Sequence, residues 1–405
     1  MFSTVIYEDQ QFHRSVVNSG SGTKEDPYII EDQIFNQEDW TTHRIITDSN
    51  DYYIIRNCKF IASKYSGVWV YNSSNCKFEK CEFIKCRLVV HSSRNCIVSE
   101  CTFREVDHQG MEGLSIFYSV NCSVIDNTAY GCFMGISVTA SNDTLVSSNL
   151  VYDNIHGIEL FFANDTFLEE NRLFNNGLHI RCDYMGMSAR AFFWYQYIGA
   201  KLVCSDNYVN DKPLRFYQDL TTGTIDASQF GQLILQNCSN VAVRNGLFSN
   251  TTYGIQFLFC DDISIRDAIA TNYSRAGIDL VFTNSSSIVN CSVIGDDWWG
   301  VHAAACWNIT IEDSNFEGNG IGLYLGSCNN CTISNNTAIR NENGIYLSYS
   351  HNSTFIGNLL RENYAGIYFY NSEQNLVINN SILYNTHYGV YLDWNSDYNR
   401  FFGNS

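Results

Sequence analysis

Between Gly300 and Asp393, apolar and polar positions recur in a fixed pattern. Each repeat opens with a glycine followed by an apolar residue and then a polar or aromatic one: Gly300-Val-His, Gly322-Leu-Tyr, Gly344-Ile-Tyr, Gly366-Ile-Tyr and Gly389-Val-Tyr, at spacings of 22, 22, 22 and 23 residues. Asn319, Asn341, Asn363 and Asn385 keep a second register of 22, and Asn336, Asn358 and Asn380 a third. Alternation of period two predicts short strands, with the first and third positions after glycine turned inward and the second (Gly+2) outward. A fixed period of this length, rich in Gly, Asn, Ile, Val and Tyr, favours strands and turns over paired helices. The expected fold is therefore all-β: a single-stranded parallel β-helix of ~22-residue coils, right-handed because parallel crossovers almost always are. Asparagines in phase predict amide ladders running from coil to coil.

The phase extends beyond this stretch. It begins as Asp51-Tyr-Tyr-Ile-Ile-Arg-Asn-Cys58, passes through Gly67-Val-Trp-Val and Arg87-Leu-Val-Val, and continues at Gly113, Gly135, Gly157, Gly177, Gly254 and Gly277. Residues 1–40 are irregular and are expected to cap the first coil, leaving 41–405 as the β-helix. A short protruding turn is expected between Val106 and Glu112, carrying His108. Gly199-Ala-Lys-Leu-Val is read as in phase, and the next matching strand, Gln232-Leu-Ile-Leu, lies 33 residues on, so a bulge is expected at about 210–231. The ending Phe402-Gly-Asn-Ser405 falls partway through a coil without a cap, which reads as a truncated chain. Fourteen or fifteen coils would make a stack of roughly 70 Å.

Composition changes this picture at three points. A length of 405 residues suggests two or three domains, but a solenoid grows without a limit on its core, so the repeat decides. The formal net charge of −18 disfavours binding to nucleic-acid phosphates. The 16 cysteines fall in phase: Cys260, Cys306 and Cys328 at one position, Cys122 and Cys331 at another. That predicts buried, reduced, stacked thiols more than a disulfide framework. Only Cys328-Asn-Asn-Cys331 has metal or redox spacing, and no metal site is expected from it. No run of 18 apolar residues suggests a membrane span, and no signal peptide is visible at the start. A monomer is expected.

The entry Gly22-Thr-Lys-Glu-Asp-Pro-Tyr-Ile-Ile30, the phased Asn-Cys-Ser/Thr turns, and Val209-Asn-Asp-Lys-Pro-Leu-Arg-Phe-Tyr217 followed by Gln232-Leu-Ile-Leu-Gln-Asn-Cys-Ser239 resemble archaeal NosD-like β-helix proteins. That group includes carbohydrate-binding proteins and sugar hydrolases, surface repeats, polysaccharide lyases and epimerases, and a periplasmic factor linked to copper enzyme maturation. The resemblance implies a right-handed β-helix at an extracellular or cell-surface location. It leaves the activity open, and the chain lacks the Met/His cluster that a copper role would use.

Phosphate-binding loops, zinc-protease helices and nucleophile elbows are absent. Galacturonan hydrolases on this fold carry four motifs in successive coils; this chain has only Asp-Asp pairs, at Asp261-Asp262 and Asp296-Asp297, and the first reads as a turn former. The Gly+2 stripe carries more. It runs Ser115, Ser137, Glu159, His179, and then Gln256, Asp279, His302, Tyr324, Tyr346, Tyr368, Tyr391. Glu159 with His179, and Asp279 with His302, form carboxylate–imidazole pairs suited to general-base work. Tyr324, Tyr346, Tyr368 and Tyr391 offer faces and hydroxyls to a glycan, or simply stack on one another to stabilise the strands. A second candidate is the expected bulge, with Lys212 and Arg215 after the aromatic run Phe192-Phe-Trp-Tyr-Gln-Tyr197. The expected function is binding of a polysaccharide or surface glycan along one sheet face. The alternatives are a uronan lyase, epimerase or glycoside hydrolase, and a maturation factor of the NosD type. No cofactor is firmly implied; calcium would be the cation to neutralise a uronate. Fourteen Asn-x-Ser/Thr sequons, from Asn72 to Asn379, mostly coincide with turns.

Overall fold

The computed structural model describes residues 16–37, 43–62, 67–106, 111–182, 201–295 and 298–405. The strands of the described residues are short and no helix occurs among them. Every ladder between named strands is parallel and joins one coil to the next. The chain is a parallel β-solenoid. It divides into two compact units, Met1–Arg181 with Met185–Asp211, and Cys182–Tyr184 with Lys212–Ser405.

In the first unit one sheet has eight strands, from Tyr28–Glu31 to Leu202–Ser205, and another has seven, from His43–Thr47 to Leu178–Ile180. Two expectations are corrected here. Tyr28–Glu31 pairs in register with Tyr53–Arg56, and Ile34–Gln37 with Lys59–Ala62, so stacked coils begin inside the stretch read as a cap. Leu202 pairs with Thr166, which puts Leu202–Ser205 in a different sheet from the glycine strands that Gly199 was taken to continue.

The second unit includes a nine-stranded sheet from Gly223–Asp226 to Arg400–Phe402. The bulge expected at 210–231 is not found. Lys212–Gln218 pairs with Gln232–Gln236, Leu214 facing Gln232, and Gly223–Asp226 pairs with Ser239–Arg244. The stretch is an ordinary coil shortened to 18 residues between partners Leu214 and Gln232. The extra length lies between Ile180 and Leu202 instead. His108, the run 192–197 and Asp296-Asp297 lie outside the described residues.

Each unit is closed around a core of apolar side chains contributed by successive strands. Ile345, Leu347, Ile367 and Phe369 are buried, and Tyr346 and Tyr368 between them are turned the other way. The repeated glycine has a steric cause. A Cβ on Gly344 would lie 2.7 Å from the carbonyl oxygen of Gly366, and one on Gly322 would lie 2.6 Å from that of Gly344. No side chain fits where one coil's backbone closes on the next.

The asparagines divide into two classes. Those at corners, such as Asn308, Asn330 and Asn352, take φ near +55° (57°, 57° and 55°), where Asn and Asp are tolerated best. The buried ones form the predicted ladders. Asn358 Oδ1 accepts from the backbone N–H of Asn336 (2.9 Å) and from its Nδ2 (3.1 Å). Its own Nδ2 donates to Ile333 O at 2.9 Å and Asn380 Oδ1 at 2.8 Å. Cysteines occupy equivalent corner sites. All sixteen are free thiols. Cys328 Sγ donates to Ala303 O at 3.3 Å, as Ser350 Oγ, one coil on, donates to Leu325 O at 3.0 Å. Burial and the neighbouring Cys306 push the Cys328 thiol well up, so its sulfur acts as a small weak donor and not as a thiolate.

Candidate functional site

In the second unit the Gly+2 column is in unbroken register: Phe216, Ile234, Gln256, Asp279, His302, Tyr324, Tyr346, Tyr368 and Tyr391 face one another rung by rung. Its centre is a polar cluster. The Asp279 side chain is 4% exposed, and its Oδ1 lies 2.7 Å from His302 Nδ1. Its Oδ2 accepts from Gln256 Nε2 at 2.9 Å. The His302 side chain is 17% exposed. Its ring stacks with Trp299 at 4.4 Å and with Tyr324 at 5.2 Å, and those two rings lie 5.6 Å from each other, so the three form one aromatic cluster. A carboxylate only accepts, so His302 Nδ1 carries the proton between them, and in the neutral imidazole that leaves the lone pair on Nε2. The result is an imidazole oriented by Asp279 and only partly open to solvent.

The other pair forms too, in the first unit. His179 Nδ1 lies 3.1 Å from Glu159 Oε2, both side chains almost fully buried, and Arg181 approaches the other oxygen at 3.8 Å. Burial pushes the Glu159 carboxyl up, but the bond to His179 and the charges of His179, Arg181 and His156 outweigh it, so the carboxyl is held below its ordinary value. A depressed carboxyl contributes stability above its unfolded value, and that contribution is lost as pH falls through the folded value. Glu112, raised by burial, works in the opposite sense and loses its contribution as pH rises. The expected outcome is that Glu159→Gln flattens the acid limb of the pH–stability curve, measured by thermal melting below the ordinary carboxylate range. An unchanged acid limb would mean that the pair adds nothing to stability.

Two features of the stripe differ from expectation. It was expected to be open throughout, but Ser115, Ser137, Glu159, His179, Gln256 and Asp279 are buried. Alternation does turn them from the core, since Ile278 and Leu280 on either side of Asp279 belong to it. At the Gln256 and Asp279 rungs, however, the strands Leu247–Leu258 and Ile269–Val281 run on through a corner that other coils break, and the column opens only from His302 onward. The tyrosines, moreover, do not offer free faces. Tyr324 and Tyr346 stack at 5.6 Å and 14°, Tyr346 and Tyr368 at 4.7 Å and 11°, and Tyr391 tilts by 44° on Tyr368 at 5.0 Å. In-register parallel strands bring identical rings to stacking distance, so each face is spent on its neighbour. Edges and hydroxyls remain. Burial raises the Tyr324 and Tyr346 phenols, and Tyr368 donates to Asp393 Oδ2 at 2.5 Å.

Lys212 and Arg215 are not brought to this cluster. Arg215 is exposed, its guanidinium carbon 5.8 Å from the Phe230 ring. It stands in register with the core positions Leu233 and Ile255, while the Gly+2 place in its coil belongs to Phe216. Trp299 was overlooked in the sequence, although Trp298-Trp299 directly before Gly300 was a readable signal.

A family model described as "Periplasmic copper-binding protein (NosD)" matches residues 195–329 and 273–405, about half of the chain. A second, "Right handed beta helix region", matches 43–191. The chain belongs to the NosD family of right-handed β-helix repeat proteins. No curated protein matches it. Among solved structures it is similar to the A-module of Azotobacter vinelandii mannuronan C-5 epimerase AlgE6, with 10% identity over 93% of this chain and 80% of that one and a TM-score of 0.28. The periplasmic alginate epimerase AlgG gives 10% identity, 98% and 81% coverage, and 0.31. A tailspike double mutant of E. coli bacteriophage HK620, solved with a pentasaccharide, gives 12%, 93% and 70%, and 0.33.

The copper in the family's description can be tested against this chain's donors. Copper(I) selects thiolate and thioether ligands, and copper(II) imidazole. Here fourteen cysteines are buried, with burial pushing thiols such as Cys291 up to about 11. Among the described residues no three His, Cys, Asp or Glu side chains converge. The donor set described here does not fit a copper centre.

Proposed function

We propose that this NosD-family protein binds a polysaccharide along the Gly+2 face of its second unit, at an extracellular or cell-surface location. The observation that carries the reading is the continuity of one polar column. His302, partly exposed, is followed directly by Tyr324, Tyr346, Tyr368 and Tyr391 at ring spacings of 4.7 to 5.6 Å. That spacing is comparable to the length of one pyranose residue, so an extended glycan meets one hydroxyl or ring edge per sugar. Stacking makes the tyrosines rigid, which lowers the entropy lost on binding. Edges and hydroxyls favour hydrogen bonding to sugar hydroxyls over ring-on-ring contact.

A second reading, a polysaccharide-modifying enzyme, is favoured by the dyad. Asp279 fixes the tautomer and orientation of His302, as a positioned general base requires. Tyr324 lies on the neighbouring rung, where its phenol could protonate a leaving oxygen.

The test is a binding titration against a panel of neutral and uronic acid polymers, each also assayed for chain cleavage and epimerisation with and without calcium. At least one polymer is expected to bind with saturable affinity. Absence of binding across the panel would overturn the glycan reading in both forms.

A further inference from the structure

Arg275 is the residue that the function above does not absorb. The strand Leu247–Leu258 pairs with Ile269–Val281 with a shift between Thr251, facing Tyr273, and Tyr253, facing Ala276. Two residues, Ser274 and Arg275, therefore stand opposite the single Thr252. This is a β-bulge, a device that re-aims a side chain and is common next to binding and catalytic sites. It also accounts for one spacing: Gly277 follows Gly254 by 23 residues, one more than the usual 22.

The bulge carries Arg275 to the aromatic edge of the dyad. Its guanidinium carbon lies 5.2 Å over the Trp298 ring. Trp298 meets Trp299 edge-on at 5.9 Å, and Trp299 stacks on His302. Arg275 is half-buried, and its Nε is buried without a hydrogen-bond partner among the described residues. The other half-buried arginines whose side chains are described, Arg87, Arg104 and Arg181, each lie within ion-pair distance of a glutamate. Arg275 has no such carboxylate among the described residues, in a chain with 42 acidic residues. A guanidinium held by an aromatic ring, desolvated on one side and not neutralised by any carboxylate among the described residues, is suited to a planar anion from outside.

We propose that Arg275 binds the carboxylate of a uronic acid residue, making the ligand an acidic polysaccharide. This rests on the glycan reading given above and narrows it. A preference for a polyanion would oppose the net charge of −18, so it would have to arise locally and not from the general field. Arg pairs a carboxylate with two parallel N–H donors, which Lys cannot do.

The test compares one uronic acid polymer with its carboxyl-reduced form, which keeps the chain and loses only the charge. Wild type is expected to bind the acidic form about 10-fold or more tightly, the scale of one charge-assisted pair. Arg275→Ala should remove that preference, weakening binding of the acidic form until the two forms bind alike. Arg275→Lys should keep part of it. Unchanged thermal melting certifies that each variant is folded. Equal affinity of wild type for the two forms, or a preference that survives Arg275→Ala, overturns the assignment while the glycan reading stands. Binding of neither form, with no other polymer bound, overturns both.

Discussion

Asn358→Leu is expected to destabilise the second unit by about 3 to 5 kcal/mol, more than any surface substitution. The side chain is 1% exposed and holds four hydrogen bonds, two accepted from Asn336 and two donated, to Ile333 O and Asn380 Oδ1. Leucine is close in volume, so the loss is electrostatic and not a cavity. It strands the Asn336 amide and the Ile333 carbonyl in the interior, at about 1 to 3 kcal/mol for each unsatisfied group. Asn352→Ala, at an exposed corner with φ of 55°, is the control, and costs only the left-handed backbone preference of about 1 to 2 kcal/mol. Urea unfolding should show a clearly lower midpoint for the first variant. Equal midpoints would mean that the ladder is incidental to the stack.

His302→Ala separates the two functional readings. A general base lost from a working dyad costs roughly 100- to 10,000-fold in rate, whereas one lost hydrogen bond in a binding site weakens affinity by about 10-fold or less. Asp279→Asn sharpens the comparison. The amide can turn its N–H₂ toward His302 Nδ1, which moves the ring proton to Nε2 and removes the base without opening a cavity. An enzyme should lose nearly as much rate from this change as from His302→Ala. A binder should keep most of its affinity in both. Turnover of any polymer that persists undiminished in both variants would remove the dyad from the chemistry.

Much of the fold was legible because its causes are local and repeat. A glycine every 22 or 23 residues marks a place where a Cβ would strike the next coil's carbonyl. Phased asparagines mark buried amides that need partners above and below. The reading failed where those marks are missing. The coil beginning at Lys212 has no glycine in the phased position and is shortened to 18 residues between Leu214 and Gln232, so it passed for a bulge. Gly199 passed for a repeat glycine although the strand after it belongs to another sheet.

At the site, the Asp279–His302 contact follows from register alone, since residues 23 apart face each other. The burial of Asp279 and Glu159 did not follow, because it depends on what neighbouring coils lay over the column. Nor did the stacking that spends the tyrosine faces, since alternation shows which side a ring is on and not how it is turned. Arg275 left one trace, the additional residue between Gly254 and Gly277.

The central claim, that a glycan lies along the tyrosine column, is tested most directly by a Tyr346→Phe, Tyr368→Phe double variant. Phenylalanine keeps the stacked rings and removes only the hydroxyls, so the solenoid should stay folded, with a small drop in melting temperature from the lost Tyr368–Asp393 bond. Titration with whichever polymer wild type binds is expected to show about 10-fold weaker affinity, the sum of two hydrogen bonds at roughly 0.5 to 1.5 kcal/mol each. Affinity equal to wild type in the folded double variant would contradict the account and leave the ladder as packing alone.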